Sequence, residues 1–326
     1  MKHFAILCLG VALLAACRKD DVIVCEPPTT ATFANLKTAA PAVQTFTFDL
    51  AQAQSIRASG GATVAFGANA YILPNGNVAT GQAQLRLREI YTVPDMILTN
   101  MPTTAAYSRQ VLVSGGEFNI QVWQGTARLR LAPVSATGVV QRLTLISPVP
   151  TAGLDTTRML LWQQPTPNAS AVIIRDSSGW LLATNPNSTA AIVPIRVPST
   201  AGYYTAALPL DSISNWNIDQ LWHAYQNKPA GTIGVEVPGI TAVVTRVFIR
   251  PVGFNGMARG FLNYSSTTRW NFFLPYGADV VIVVLQERGG QLYYGTQRLT
   301  TAANTVVTPT LEALSAAEIV RRIRLL

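Results

Sequence analysis

The alternation of apolar and polar residues with a period of two is the feature that most constrains the fold of this chain. Four clear runs occupy residues 45–50, 84–88, 118–122 and 127–131. Because successive side chains of a β-strand point to opposite faces, such runs predict half-buried strands. Turn residues separate them, including Asn75-Gly76, Gly115-Gly116 and Gln124-Gly125. Short alternating strands with frequent turns predict antiparallel β-sandwiches.

The C-terminal third continues this pattern and then changes at its end. Val280–Leu285 is an unbroken apolar run, which predicts a buried central strand. Ser315 and Glu318 have the spacing of a capping box, so a short helix is expected after Ser315. The predicted fold class is all-β, with two or three antiparallel β-sandwich modules and a short C-terminal helix.

The N-terminus has the composition of a secretory signal. Met1-Lys2-His3 is a short positive start, and Phe4–Leu14 is an apolar and small-residue run. That run is shorter than the roughly 20 apolar residues that a membrane span needs. Small residues then precede Cys17, as expected at a cleavage site.

The segment Leu14-Ala15-Ala16-Cys17 resembles the lipobox of bacterial lipoproteins. The resemblance implies cleavage between Ala16 and Cys17 and lipidation of the Cys17 thiol. The alternative is an ordinary signal peptide that happens to contain a cysteine. Arg18-Lys19-Asp20-Asp21 follows, and it resembles the surface-export signal of Bacteroidota-type lipoproteins. The implied location is the outer membrane, at the cell surface. The alternative is a solvated charge cluster beside lipid headgroups.

Cysteine and histidine counts restrict the chemistry of the mature chain. Cys8 leaves with the signal peptide and Cys17 is lipidated, so Cys25 remains alone and cannot form an intramolecular disulfide. A Cys/His zinc site is excluded by count. His223 is the one histidine of the mature chain, and we interpret it as structural rather than as a catalytic base. We predict no metal, no cofactor and no enzymatic activity.

A family resemblance enters at Gly61–Tyr71, which is similar to the opening strand and loop of the ZU-five domain of zonula-occludens proteins and netrin receptors. The turn Asn75-Gly76, the strand Leu85–Tyr91 and the segment Gly115-Gly116-Glu117-Phe118 continue the pattern. Gly67 departs from it, since the family has proline there. The resemblance implies a β-sandwich over about residues 43–133. The self-cleavage of some relatives is not implied, because their His-Phe-Ser turn is absent from the sequence.

These patterns divide the chain into five predicted segments. They are a signal peptide (1–16), a lipidated tether (17–42), a ZU-five-like β-sandwich (43–137), a middle β region (138–229), and an immunoglobulin-like or transthyretin-like sandwich with the terminal helix (230–326).

Basic residues outnumber acidic ones, 24 to 16. Most are arginines spread singly along the predicted strands, and the sequence contains no nucleic-acid motif. Four arginines fall on the outward side of their strands: Arg86, Arg88, Arg128 and Arg130. If those strands were neighbours, four guanidinium groups would share a face suited to carboxylate or phosphate groups. The alternative is a solvated sheet face.

A second candidate site combines Trp216, Asp219 and Trp222, whose residue types are those that stack on sugars or serve in glycoside hydrolysis. Asp211 is a candidate carboxylate partner of Asp219. The alternative is that the tryptophans belong to a core and the aspartates cap strand ends. The predicted function is a non-catalytic surface lipoprotein that is held in the membrane by Cys17 and serves as a binding or structural module for protein or glycan partners, with no nucleic-acid partner. The alternative function is a glycan-processing enzyme or carbohydrate-binding accessory protein.

Overall fold

The structure is a computed structural model that describes residues 31–133, 143–149, 155–164, 179–184, 195–200, 202–208, 215–237, 244–262 and 266–326. Within these ranges the chain from Ala31 to Leu326 forms one compact unit. No helix in them is long and apolar enough to cross a membrane.

Fourteen strands of the described residues build the first sandwich. In chain order they are β1 (Gln44–Asp49), β2 (Gln54–Arg57), β3 (Thr63–Phe66), β4 (Tyr71–Ile72), β5 (Gln82–Ile90), β6 (Leu112–Gln124), β7 (Ala127–Arg128), β8 (Arg130–Leu131), β9 (Leu143–Pro148), β10 (Leu160–Gln164), β11 (Leu181–Leu182), β12 (Ser199–Thr200), β13 (Tyr203–Leu208) and β14 (Asn215–Leu221). The first sheet has the order β1-β5-β6-β14-β10-β11, with β7 also on β6, and the second has the order β12-β13-β9-β3-β2. Strands β4 and β8 form a separate pair.

One core joins the first two sheets. Leu85, Phe118 and Trp216 of the first sheet pack with Val64 and Tyr204 of the second. Strand β14 pairs antiparallel with β6, and β9 pairs with β3. The predicted segments 43–137 and 138–229 therefore share both sheets and one core. The middle region completes the first sandwich instead of forming a module of its own.

The second sandwich uses the remaining strands. They are β15 (Ala230–Glu236), β16 (Thr245–Pro251), β17 (Ala258–Arg259), β18 (Phe261–Leu262), β19 (Arg269–Pro275), β20 (Asp279–Arg288), β21 (Gln291–Thr300), β22 (Val306–Val307) and β23 (Glu312–Leu314). The third sheet has the order β18-β19-β15-β22, and the fourth has the order β17-β16-β20-β21-β23. The run Val280–Leu285 lies in β20, which is central in the fourth sheet and buried from Val280 to Gln286 apart from Val281.

The described α-helices are α1 (Phe33–Lys37), α2 (Val93–Thr99), α3 (Ala224–Asn227) and α4 (Ala316–Arg324), and a 3₁₀ turn spans Thr156–Arg158. Helix α4 begins at Ser315, whose side chain accepts a hydrogen bond from the backbone N–H of Glu318. Apolar residues of α1, α2 and α4 cover the outer face of the fourth sheet, where Ile319 and Ile323 are fully buried. The predicted all-β sandwich fold with a short C-terminal helix is confirmed.

Residues 31–42 differ from the predicted tether. Leu36 of α1 is 2% exposed and packs in the cluster beneath the helices. The backbone N–H of Ala31 donates to the carbonyl of Gly290 at 2.9 Å, and that of Phe33 donates to Oε2 of Glu287 at 2.7 Å. The guanidinium of Arg246 lies 4.2 Å from the Phe33 ring centroid. This part of the predicted tether is therefore docked on the second sandwich, because its apolar residues find buried positions there.

Candidate functional site

The outer face of the first sheet carries a continuous patch of planar and polar side chains. Inward residues such as Leu85, Leu87 and Val122 fill the core, so the alternate residues of the same strands point outward. We call this patch the polar face, and it comprises Thr45, Thr47, Gln84, Arg86, Arg88, Asn119, Gln121, Trp123, Arg128, Gln164 and Asn215.

A chain of side-chain hydrogen bonds crosses this face from β6 to β10. Trp123 Nε1 donates to Gln121 Oε1 at 2.9 Å, and Gln121 Nε2 donates to Asn119 Oδ1 at 3.2 Å. Asn119 Nδ2 donates to Asn215 Oδ1, and Asn215 Nδ2 donates to Gln164 Oε1 at 3.1 Å. We call this series the amide chain. A carboxamide has two N–H donors and two acceptor lone pairs. An amide that uses one donor and one lone pair within the amide chain can still donate to and accept from a ligand.

Trp123 stands at one end of the amide chain beside a shallow groove. The guanidinium of Arg86 lies 5.0 Å from the centroid of its ring. The groove has a volume of about 240 Å³, and its polar lining comes from Thr47, Gln82 and Gln84. The indole ring of Trp123 and the amides of Gln82 and Gln84 therefore border this depression, and Arg86 lies against the indole ring.

Three of the four predicted arginines share the polar face. Arg86 lies opposite Gln121, Arg88 lies opposite Asn119, and Arg128 lies opposite Trp123. Arg88 is half-buried, and this burial lowers its pKa. The structure does not bring Arg130 to this face, because Arg130 belongs to β8, which pairs with β4 outside the first sheet. The predicted four-arginine site is thus reduced to three.

The structure does not bring Trp216, Asp219 and Trp222 together on a surface. Trp216 is 2% exposed and points into the core of the first sandwich. Asp219 is fully buried on the opposite face of β14. Trp222 packs beside the second core, with its ring centroid 4.8 Å from that of Phe254. Asp211 lies outside the described residues. The tryptophans pack against protein and offer no sugar platform.

His223 is exposed immediately before α3. The predicted cleavage, lipidation and export residues, Ala16, Cys17, Arg18, Lys19, Asp20 and Asp21, lie outside the described residues, as does Cys25.

A second polar group lies at the buried end of the same sheet. Ser114, Glu117, Asn217 and Asp219 are all 0% exposed. Asn217 lies opposite Glu117 and Asp219 opposite Ser114, with a register shift between the two pairs at Gly115-Gly116. Because the members of each pair face each other across neighbouring strands, the four polar side chains meet on one face. We call them the buried quartet.

Hydrogen bonds link three members of the quartet. Ser114 Oγ donates to Asn217 Oδ1 at 3.2 Å, and Asn217 Nδ2 donates to Asp219 Oδ2. Both carboxylate oxygens of Glu117 and Oδ1 of Asp219 are buried without a hydrogen-bond partner in the part of the chain that the structure describes. Burial raises the pKa of both carboxyl groups, and the charge of Asp219 raises that of Glu117 further.

Sequence reasoning missed the amide chain and the quartet. The alternation that predicts the strand at 118–122 already places Asn119 and Gln121 on one side, and their planar amides were an available signal. Glu117 had no such signal, since its neighbours on β14 come from a segment about 100 residues later.

Comparison with protein-family models gives no match for this chain, and comparison with curated proteins gives none either.

Proposed function

We propose that this protein is a lipid-anchored, non-catalytic module of the outer bacterial surface that binds glycans through the polar face. The observation that carries the proposal is the amide chain ending in Trp123, with the Arg86 guanidinium 5.0 Å from the centroid of the indole ring. The anchor on Cys17 and the export signal at Arg18–Asp21 rest on the sequence resemblances given above.

The side chains of the polar face complement the hydroxyl groups and the apolar ring faces of a sugar. Sugar hydroxyl groups donate and accept hydrogen bonds, and carboxamides do the same from a fixed plane. An indole ring offers an apolar surface of the size of a pyranose ring, with an N–H at its edge. The shallow groove suits an extended chain of sugars better than a small compact ligand, which needs deeper enclosure.

Arg86, Arg88 and Arg128 favour acidic glycans over neutral ones. Arginine contacts carboxylate or sulfate oxygens through two parallel N–H groups, a geometry that lysine lacks. Arg86 and Arg88 lie on β5 and Arg128 lies on β7, and each is paired in register with a residue of the amide chain on β6. A uronic-acid-containing oligosaccharide would engage the guanidinium groups and the amides together.

A glycan array tests the proposal directly. The soluble fragment of residues 26–326, which contains every described residue, is applied as wild type and as Trp123→Ala. Tyr107→Ala is the matched control, because Tyr107 is 90% exposed and lies off the polar face. We expect signals on acidic oligosaccharides from the wild type and the control, and a loss of these signals for Trp123→Ala. Equal signals from all three proteins would contradict the proposal.

The glycan-processing alternative receives no support from Asp219. Its carboxyl group is fully buried beneath Trp162, whose Nε1 donates to the Asp219 carbonyl at 3.0 Å. A substrate in solution does not reach it in this arrangement.

A further inference from the structure

The buried quartet combines full burial with incomplete hydrogen bonding. Among the described residues, three buried carboxylate oxygens, two on Glu117 and one on Asp219, have no hydrogen-bond partner. An ionised carboxylate in such a place costs several kcal/mol unless a charge or a set of donors compensates it. None of the described residues donates a hydrogen bond to the two carboxylate oxygens of Glu117.

An independent observation comes from the opposite sheet. Tyr204 on β13 is 0% exposed, and its buried hydroxyl group has no hydrogen-bond partner in the ranges that the structure describes. Its ring lies so close to the backbone of Gly115 that a Cβ there would stand 2.8 Å from Tyr204 Cε2. The Tyr204 side chain thus reaches the bulge beside the quartet from the core side of the first sheet.

Gly115 makes this approach possible. The same hypothetical Cβ would stand 3.0 Å from the backbone carbonyl oxygen of Ile218. Without a side chain at Gly115, both the tyrosine ring and this carbonyl come close to the strand. The absence of a side chain at Gly115 therefore lets the second sheet and β14 approach the bulge closely.

We propose that the buried quartet binds one calcium ion. The donor set consists of the carboxylates of Glu117 and Asp219, completed by neutral oxygens among Ser114, Asn217 and Tyr204. A divalent cation balances the two negative charges and satisfies the unpartnered oxygens at once.

The types of the candidate donor residues favour calcium over other metals. All candidate donors are oxygens, which hard cations prefer, and no cysteine or histidine belongs to the quartet. Calcium accepts six to eight oxygen ligands in irregular geometry, whereas magnesium demands a near-ideal octahedron. No group of three or more His, Cys, Asp and Glu side chains forms a metal cluster among the described residues. The site depends instead on two carboxylates and neutral oxygens, a set that the sequence-based prediction of no metal did not consider.

In the first experiment the full chain is unfolded in denaturant that contains a chelator and is then refolded in detergent. Refolding then proceeds with Ca²⁺, with Mg²⁺ or with chelator, and bound metal is counted by elemental mass spectrometry. We expect about one Ca²⁺ per chain, and a Tm in Ca²⁺ at 100-fold above the Kd that is roughly 4 °C above the Tm in chelator. Tb³⁺ in place of Ca²⁺ should show luminescence excited through tryptophan, because Trp162 contacts Asp219.

The variants are Glu117→Gln and Asp219→Asn, with Glu312→Gln as the matched control on an exposed glutamate. Both site variants should lose the bound ion and the Ca²⁺-dependent shift in Tm, and the control should keep them. If either site variant fails to fold, Ser114→Ala is the substitute variant at the same site. We expect it to weaken Ca²⁺ binding at least threefold. A wild type that refolds with no bound Ca²⁺, a Tm unaffected by Ca²⁺ and no terbium luminescence would overturn the proposal. In that case a Tm that rises as pH is lowered from 7 to 5 identifies protons as the compensating charge.

Discussion

Asn119 on β6 donates a hydrogen bond to Asn215 on β14, a residue 96 positions later in the chain. This contact joins the amides of the first predicted segment to those of the middle one. Asn119→Ala removes the central link of the amide chain, and a hydrogen bond of this kind contributes about 0.5–1.5 kcal/mol. We expect Asn119→Ala to weaken glycan binding about threefold to tenfold while the Tm changes little.

Microscale thermophoresis against the strongest array ligand measures this effect. Gln52→Ala is the matched control, since Gln52 is an exposed amide outside the polar face. If the two variants bind equally well, the amide chain has no part in recognition.

The docked N-terminal helix gives a prediction about stability. Leu36 is 2% exposed, and large-to-small substitutions at such positions cost about 2–5 kcal/mol. Leu36→Ala should therefore lower the free energy of unfolding by about 2–4 kcal/mol in urea titrations. Lys37→Ala, an exposed position on the same helix, should change it by less than about 0.5 kcal/mol. Similar values for the two variants would show that residues 31–42 act as a free tether.

The C-terminal helix gives a prediction about pH. Hydrogen bonds from Arg321 and Arg322 lower the pKa of Glu318 from 4.5 to about 2. A carboxyl group whose pKa is lower in the folded state stabilises the protein above its unfolded pKa, and this contribution is lost as pH falls through the folded value. Glu318→Gln should thus lower the Tm at pH 7 and have progressively less effect between about pH 4.5 and pH 2. Calorimetry over that range checks the trend, and a constant difference in Tm would contradict it.

The arginines of the polar face predict a dependence on salt. Arg86→Ala combined with Arg128→Ala should shorten retention on a heparin column at low salt, because two cations are removed from the binding surface. Arg57→Ala, an exposed arginine on β2 of the second sheet, is the control. Unchanged retention of the double variant would remove acidic glycans from the proposal but leave neutral ones.

More of the fold than of the candidate site could be predicted from the sequence, for a physical reason. Alternation within a strand depends on neighbouring residues, so the strands at 84–88 and 118–122 were readable from the sequence. Which strands become neighbours depends on contacts far apart in the chain. That is why the sharing of both sheets by segments 43–137 and 138–229 was missed.

The same dependence on contacts far apart in the chain explains where the individual site residues lie. Arg128 and Arg130 alternate in the sequence as if on one strand, yet β7 and β8 join different sheets. Trp216 has the residue type of a sugar platform, but the face of β14 that carries it is the one turned to the core. Glu117 had the outward position of an exposed charge and is buried by residues that the local pattern does not include.

Binding of an acidic oligosaccharide by wild type and Trp123→Ala, measured by titration calorimetry, tests the central claim most directly. Trp123 supplies both the apolar ring and the first donor of the amide chain. We expect the Kd of Trp123→Ala to rise at least tenfold, a loss of about 1.4 kcal/mol, while Tyr107→Ala retains the wild-type Kd. An unchanged Kd for Trp123→Ala would show that the polar face is not the glycan-binding site.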